Sequence, residues 1–137
     1  MKTVEELMIK DILTTSMNTT LEEANQMMTG KHTRHILVLD DKERLMGVIS
    51  DRDIKKFVSP FADTTYTTPK DSATLQIPIG SIMSKKLLTI TAHQTVKICI
   101  KKMLKNTIHS LPVLDDKGNL VGIITSTNIF EFSLTLL

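Results

Sequence analysis

The chain repeats itself. Shifting the 137-residue sequence by 75 positions sets residues 4–57 on residues 79–132 without a gap. The segment LVLDDKERLMGVISDRDIKKF (37–57) falls on PVLDDKGNLVGIITSTNIFEF (112–132). Identical pairs include Val38/Val113, Leu39/Leu114, Asp40/Asp115, Asp41/Asp116, Leu45/Leu120, Gly47/Gly122, Ile49/Ile124 and Ile54/Ile129. Upstream, Met8/Met83, Thr14/Thr89, Thr20/Thr95 and Met28/Met103 also coincide. A repeat decides architecture, because both copies must build the same supersecondary unit. At this length the two copies make one compact domain, or two small units sharing a core.

Each copy reads the same way. An extended piece (12–16; 87–91) leads to Thr20 or Thr95. Thr20 to Glu23 has the form of a capping box, and a helix follows to about residue 31 or 106. In the second copy Val96, Cys99, Ile100, Met103 and Leu104 recur at helical spacing and define an apolar face. Strands are expected at 36–39 and 45–50, and at 111–114 and 120–125, joined by hairpin turns at DDKER and DDKGN. A second helix starts near Ser50 or Thr125. Residues 58–78 hold three of the four prolines and no clear period, so they read as a linker with room for a short ordered turn. The expected organisation is repeat 4–57, linker 58–78, repeat 79–132, in an α/β (α+β) chain.

Composition excludes several classes. The net charge of +2 lacks the concentrated basic face of a dedicated nucleic-acid binder. A single cysteine excludes an intramolecular disulfide and a cysteine-rich zinc site. No apolar run approaches the roughly 20 residues that span a bilayer. The first residues, MKTVEELMIKD, lack the apolar core of a secretory signal. A cytoplasmic protein with neither nucleic acid nor membrane as partner is the expectation.

The pattern D-D-x-x-x-L-x-G-[VI]-I-[ST]-x-x-[DN]-I within a β-α-β-β-α unit resembles the cystathionine-β-synthase (CBS) domain. Its most specific markers are Gly47-Val-Ile-Ser-Asp-Arg-Asp53 and Gly122-Ile-Ile-Thr-Ser-Thr-Asn128. Two copies look like a CBS pair, or Bateman module, and the arrangement is similar to the small bacterial CBS proteins of the acetoin-utilisation type. The resemblance implies two repeats related by a pseudo-twofold axis with sheets packed side by side. It also implies an adenosine ligand (AMP, ADP, ATP, NAD, S-adenosylmethionine or a cyclic dinucleotide) in clefts between the repeats, a disc-shaped homodimer, and a role in sensing.

Ser50, Arg52 and Asp53 stand where a strand becomes a helix. Backbone N–H groups there suit a phosphate, and an arginine fork adds to them. A carboxylate repels phosphate, so Asp53 makes sense as an acceptor from ribose hydroxyls, its role in the family. The local alternative is an N-cap that needs no ligand. The second copy has Thr125, Thr127 and Asn128 at these positions, without the charge and without the arginine, and is the poorer site. Carried over residue by residue, the family's composite clefts would join Ser50, Arg52 and Asp53 to Leu88, Ile108, His109 and Pro112. Leu88 would offer backbone groups to the adenine edge, Ile108 and Pro112 would sandwich the ring, and His109 would face phosphate. The other cleft would join Thr125, Thr127 and Asn128 to Leu13, Thr33, Arg34 and Ile36. There Leu37 stands where the family often has proline, and Arg34 holds the place of His109. All three arginines lie in the first repeat, and Arg44 in its hairpin turn reads as solvated.

Other constellations read as structural. His32 and His35 lack a third metal ligand and read as surface or strand-edge positions. Cys99 reads as a buried small hydrophobe, the recurring methionines as core, Lys101, Lys102 and Lys105 as a solvated basic face, and the paired aspartates as turn formers. No catalytic residue set, required cofactor or metal set is recognised. The leading expectation is a regulatory module that binds an adenosine nucleotide (AMP, ADP or ATP) and signals to a dimer or an unidentified protein target. The alternative is a ligand-free protein-interaction scaffold.

Overall fold

The structure, a computed structural model, describes residues 1–57, 69, 73–83 and 87–137. Most of the expected 58–78 linker lies outside the described residues. The part that is described contains one 3-10 turn at Thr74–Gln76.

The elements follow the repeat. A short helix α1 (Val4–Leu7) precedes β1 (Thr14–Ser16), α2 (Leu21–Lys31), β2 (His35–Leu39), β3 (Leu45–Ser50) and α3 (Asp51–Phe57). A 3-10 turn at Ile79–Ser81 stands in the place of α1 in the second copy. Then come β4 (Ile90–Thr91), α4 (Val96–Asn106), β5 (Ser110–Leu114), β6 (Leu120–Thr125) and α5 (Ser126–Leu134). Each copy forms a three-stranded sheet with its middle-numbered strand in the centre, β1-β2-β3 and β4-β5-β6. The first pair in each sheet is parallel and the second antiparallel. Even the irregularities repeat: the register shifts at Val38/Leu39 and at the aligned Val113/Leu114.

The local causes are visible. The Thr20 hydroxyl accepts from the Glu23 N–H at 3.2 Å, and Thr95 accepts from Ile98 at 3.3 Å, so both long helices start on a threonine cap. Both end on a non-glycine residue in the left-handed region, His32 (φ 52°) and Thr107 (φ 53°). In each hairpin one aspartate oxygen collects two backbone N–H groups: Asp40 from Lys42 and Arg44, Asp115 from Lys117 and Asn119. The expected role of these aspartates as turn formers is what the structure shows. The other Asp40 oxygen takes Arg44 Nε at 2.7 Å, which ties that exposed arginine to its own turn.

The chain divides into two compact units, and their edges are not those of the repeat. One unit is Leu13–Leu87; the other is Met1–Ile12 together with Leu88–Leu137. The opening segment of each sequence repeat therefore folds with the other repeat's sheet. In the first unit Ile79 donates to the Thr19 carbonyl at 2.8 Å and Gly80 to Met17 at 3.0 Å. Ile79 and Met83 join the core of Leu21, Ala24, Met28, Ile36, Val38, Ile49 and Ile54. In the second unit Val4 donates to the Gln94 carbonyl at 2.8 Å, and Ile9 and Ile123 exchange two backbone bonds, at 2.8 and 3.0 Å. Val4 joins the core of Ile90, Val96, Cys99, Met103, Leu111, Val113, Ile124 and Ile129. Val4 and Ile79 are aligned residues, and both are 0% exposed. Gly122 permits this docking: a Cβ there would stand 2.7 Å from the Ile9 carbonyl oxygen.

Candidate functional site: two strand-to-helix junctions

The two repeats place the same construction at the end of β3 and of β6. In the first unit the Ser50 N–H and hydroxyl both donate to Asp53 Oδ2, at 2.8 and 3.0 Å, and Ser50 Oγ accepts the Asp53 N–H at 3.2 Å. In the second, the Thr125 N–H and hydroxyl donate to Asn128 Oδ1, each at 2.9 Å, and Thr125 Oγ1 accepts the Asn128 N–H at 3.2 Å. Each junction is tied to the preceding strand by a backbone bond, Asp51 N–H to the Arg34 carbonyl (2.9 Å) and Ser126 N–H to the His109 carbonyl (2.8 Å). The cap reading of these motifs is thus realised in the structure.

What the caps leave over differs. Asp53 uses one oxygen, and among the described residues nothing donates to Oδ1, so a hydrogen-bond acceptor with charge remains. Asn128 uses its only side-chain oxygen and has an NH2 group left, which donates. Ribose hydroxyls are good donors, so the two junctions offer a nucleoside opposite halves of a hydrogen bond. The surrounding charge differs too. Among the described residues no carboxylate lies within ion-pair reach of Arg34 or Arg52, and both are exposed. Their aligned partners are His109 and Thr127.

The structure places the expected residues in two sets. The first unit carries Leu13, Thr33, Arg34, Ile36, Ser50, Arg52 and Asp53; the second carries Leu88, Ile108, His109, Pro112, Thr125, Thr127 and Asn128. Within each set the strand and helix residues share one sheet end. Thr33 and Ile108 directly follow the left-handed helix ends, their N–H groups donating to Met28 and Met103. Ile36 and Pro112 are buried, so their side chains present no surface to a ligand in this conformation. Leu13, Thr33, Leu88, Ile108 and Asn128 are half-buried, and His109 and Thr127 are exposed.

Two residues take positions that the sequence did not suggest. His35 is half-buried on the central strand, in register with Ser50. Its pKa is lowered by burial, against the opposing pull of Asp51 and Asp53 and together with the smaller repulsion from Arg34 and Arg52. Lys102, expected on a solvated face, is half-buried and donates its ammonium to the Thr89 carbonyl. The aligned residue is Met27, and nothing in the local pattern of lysines singled this one out. Cys99 is fully buried, and burial pushes its thiol up to about 11, as suits a core residue and not a nucleophile.

The second unit also has an apolar groove between α4 and α5, about 350 Å³. Its walls include Ile100, Met103, Leu104, Ile129 and Phe130, with Ile108 and His109 among its lining. Leu104 and Phe130 are 76% and 66% exposed, a large apolar surface for single residues. Their aligned positions in the first repeat are Thr29 and Lys55. Among the described residues no helix is long and apolar enough to cross a membrane.

Comparison with known proteins agrees with this construction. The CBS-domain family model matches residues 4–60 and 79–135. A CBS domain-containing protein of Dictyostelium discoideum is 30% identical over 135 residues, covering 98% of this chain and 92% of its own. The solved CBS domain pair of protein MJ0100, in complex with 5-methylthioadenosine and S-adenosyl-L-methionine, superposes with a TM-score of 0.80 at 25% identity, covering 99% of this chain and 98% of that one. The acetoin utilization protein AcuB of Vibrio cholerae does so with a TM-score of 0.76 at 26% identity, over 99% of this chain and 93% of that one. The chain also matches a homoserine O-acetyltransferase of Methanosalsum zhilinae at 30% identity, but spans only 23% of its length. Matching the family model in both repeats, the chain belongs to the CBS-domain family as a tandem CBS pair.

Proposed function

We propose that this CBS pair is a regulatory module that binds an adenosine nucleotide and reports occupancy to a partner, and is not an enzyme. The observation that carries the reading is the spare Asp53 Oδ1 in a junction that also carries Arg52 and is tied through Asp51 N–H to the Arg34 carbonyl, with neither arginine in an ion pair among the described residues. An acceptor for ribose hydroxyls beside guanidinium groups for phosphate fits a nucleotide better than it fits either part alone. The ligands seen in the MJ0100 pair belong to the same adenosine class. The residues proposed to contact ligand are Ser50, Arg52, Asp53, Leu13, Thr33 and Arg34 in the first unit and Leu88, Ile108, His109, Thr125, Thr127 and Asn128 in the second, with the Asp53 junction the better of the two and the Asn128 junction the poorer. The proposed domains are the sequence repeats 4–57 and 79–132, and the setting is cytoplasmic.

The test is calorimetric titration of the purified chain with AMP, ADP, ATP and S-adenosylmethionine, repeated on Asp53→Ala. Binding of one of these in the wild type, lost in the variant with the fold intact, supports the reading. Unchanged binding in the variant removes Asp53 from the site, and no binding of any of them to nucleotide-free protein removes the adenosine ligand.

The exposed groove favours a second element of the proposal, a homodimer seated through α4 and α5. Lysines 97, 101 and 105 are exposed on α4, which has no acid, whereas α5 carries Glu131 and no base. A twofold that sets α4 against the partner's α5 brings opposite charges to the rim of a shared apolar centre. Light scattering should show Leu104→Glu as a monomer and Thr29→Glu, its first-repeat counterpart, unchanged; equal behaviour of the two would exclude this face.

A further inference from the structure

The edge strand of the second sheet is held differently from its counterpart in the first. In the first unit β1 enters the sheet at Thr14↔Leu37, where the Leu37 N–H donates to the Leu13 carbonyl at 2.9 Å. Position 112 is proline, which has no N–H to give, and β4 pairs one residue later, from Ile90↔Val113. β4 is two residues long and lies at the edge of its sheet. Backbone groups alternate in direction along a strand, and the Ala92 N–H, which donates to the Leu114 carbonyl at 2.9 Å, sets the inward phase. The Thr89 carbonyl is three residues earlier and so points to the open edge. It takes the ammonium of Lys102. That lysine stands on α4 at the position of Met27, a partly buried methionine packed on the first unit's core. A half-buried ammonium in an apolar position costs desolvation that only a bond of this kind offsets. One turn on, the Asn106 side chain donates to the Lys102 carbonyl at 2.8 Å and braces the helix there. Met27 and Thr14, the aligned pair, can form no such bond, yet the first unit builds the same sheet.

We propose that Lys102 is a positioning residue: its ammonium fixes the backbone where β4 enters the second sheet, and so holds in place the segment of this unit that carries Leu88. The role rests on the functional reading above, in which Leu88 is one of the residues that meet ligand, and it adds a residue that touches no ligand itself. The two sheets then set their entering strands by different means. In the first unit the neighbouring strand β2 does so through the Leu37 amide; in the second a helix does so through a charged side chain. The same helix walls the exposed groove with Ile100, Met103 and Leu104, so one bond joins that surface to β4.

The experiment compares Lys102→Met with Lys102→Arg. Methionine already fills the aligned position 27, so the helix accommodates it, and arginine restores a cationic donor. The first readout needs no ligand. Hydrogen exchange at the Ala92 amide should be about tenfold or more faster in Lys102→Met, and close to wild type in Lys102→Arg. The Ile9 amide, bonded to the Ile123 carbonyl at 2.8 Å on the opposite edge of the same sheet, should be unchanged in both. The second readout is titration with AMP, ADP and ATP, followed by NMR at the Leu88 and His109 amides. Half-saturation there should move up about fivefold in the methionine variant and return in the arginine variant. An unchanged Ala92 amide overturns the positioning role. Equal acceleration at Ala92 and Ile9 overturns it too, because the lysine would then support the whole unit. Faster exchange at Ala92 with unchanged half-saturation shows that the strand is held without consequence for the site, and overturns the functional half. A wild type that binds none of the three nucleotides overturns the reading on which the proposal rests, while the exchange data still decide whether Lys102 holds β4.

Discussion

The junctions at Ser50–Asp53 and Thr125–Asn128 have the same hydrogen-bond geometry and different chemistry. The three bonds measure 2.8, 3.0 and 3.2 Å in the first and 2.9, 2.9 and 3.2 Å in the second. The fold needs only an oxygen at the third helical residue to hold the cap, and asparagine supplies that as well as aspartate does. A nucleoside needs what the cap does not consume. There the carboxylate leaves an acceptor and the amide leaves a donor. Duplication thus preserved the scaffold in both repeats, while the leftover atoms separate a charged junction from a neutral one. The helix faces differ in the opposite sense: polar at Thr29 and Lys55, apolar at Leu104 and Phe130.

The largest expected effect tests the exchange of opening segments. Ile79 is fully buried in the first unit's core. Ile79→Ala should cost about 2–5 kcal/mol, read as a lower denaturant midpoint. Val4→Ala, its counterpart in the second unit, should cost somewhat less because fewer carbons are lost. Negligible losses in both would mean that the opening segments do not dock as described.

Next comes the junction itself. Asp53→Asn keeps the cap and removes the charge, so stability should hold within about 0.5 kcal/mol while affinity for an adenosine nucleotide falls roughly tenfold, about 1.4 kcal/mol. The same titrations on Asn128→Ala should show nearly unchanged affinity at the better site. Loss of stability without loss of affinity in Asp53→Asn would make the carboxylate a cap and nothing more.

A smaller effect separates the two hairpins. Glu43 holds φ 60° where the aligned Gly118 holds φ 84°. A side chain in that region is strained, so Glu43→Gly should raise stability by about 0.5–1 kcal/mol, relief of strain outweighing the entropy glycine gains when unfolded. Thermal melting of Glu43→Gly decides the sign.

The smallest effect is a pH slope in one unit only. Burial depresses the folded-state pKa of His35 below that of the unfolded chain, so the unfolded state binds the proton first. The contribution of this residue is complete above the unfolded value, near about 6.5, and is lost as pH falls through the lower folded value. His35→Gln should flatten the fall in melting temperature between about pH 7 and about pH 5 relative to wild type. An unaltered slope would mean that the imidazole is as accessible folded as unfolded.

Much of this was legible in the residues. The helices, the four strands of the hairpins, the threonine caps and the aspartate turns follow from local pattern, because each depends on neighbours within a few residues. The resemblance of the Gly47–Asp53 and Gly122–Asn128 motifs supplied the family. Candidate site residues could be named from residue types, and Asp53 differs from Asn128 in charge on the sequence alone.

Three things were decided only by the tertiary structure. Which segment folds with which sheet is a matter of long-range packing: Val4 and Ile79 are aligned apolar residues, and either unit would bury either one as far as local pattern can tell. Lys102 looks like its neighbours Lys101 and Lys105 until the Thr89 carbonyl is placed against it. Pro112 is a one-letter departure from Leu37, and only the sheet shows what the leucine N–H is used for: it donates to the Leu13 carbonyl at 2.9 Å, a bond that proline cannot make. The residue types determine what each position can donate or accept; the fold determines which of those groups are already spent.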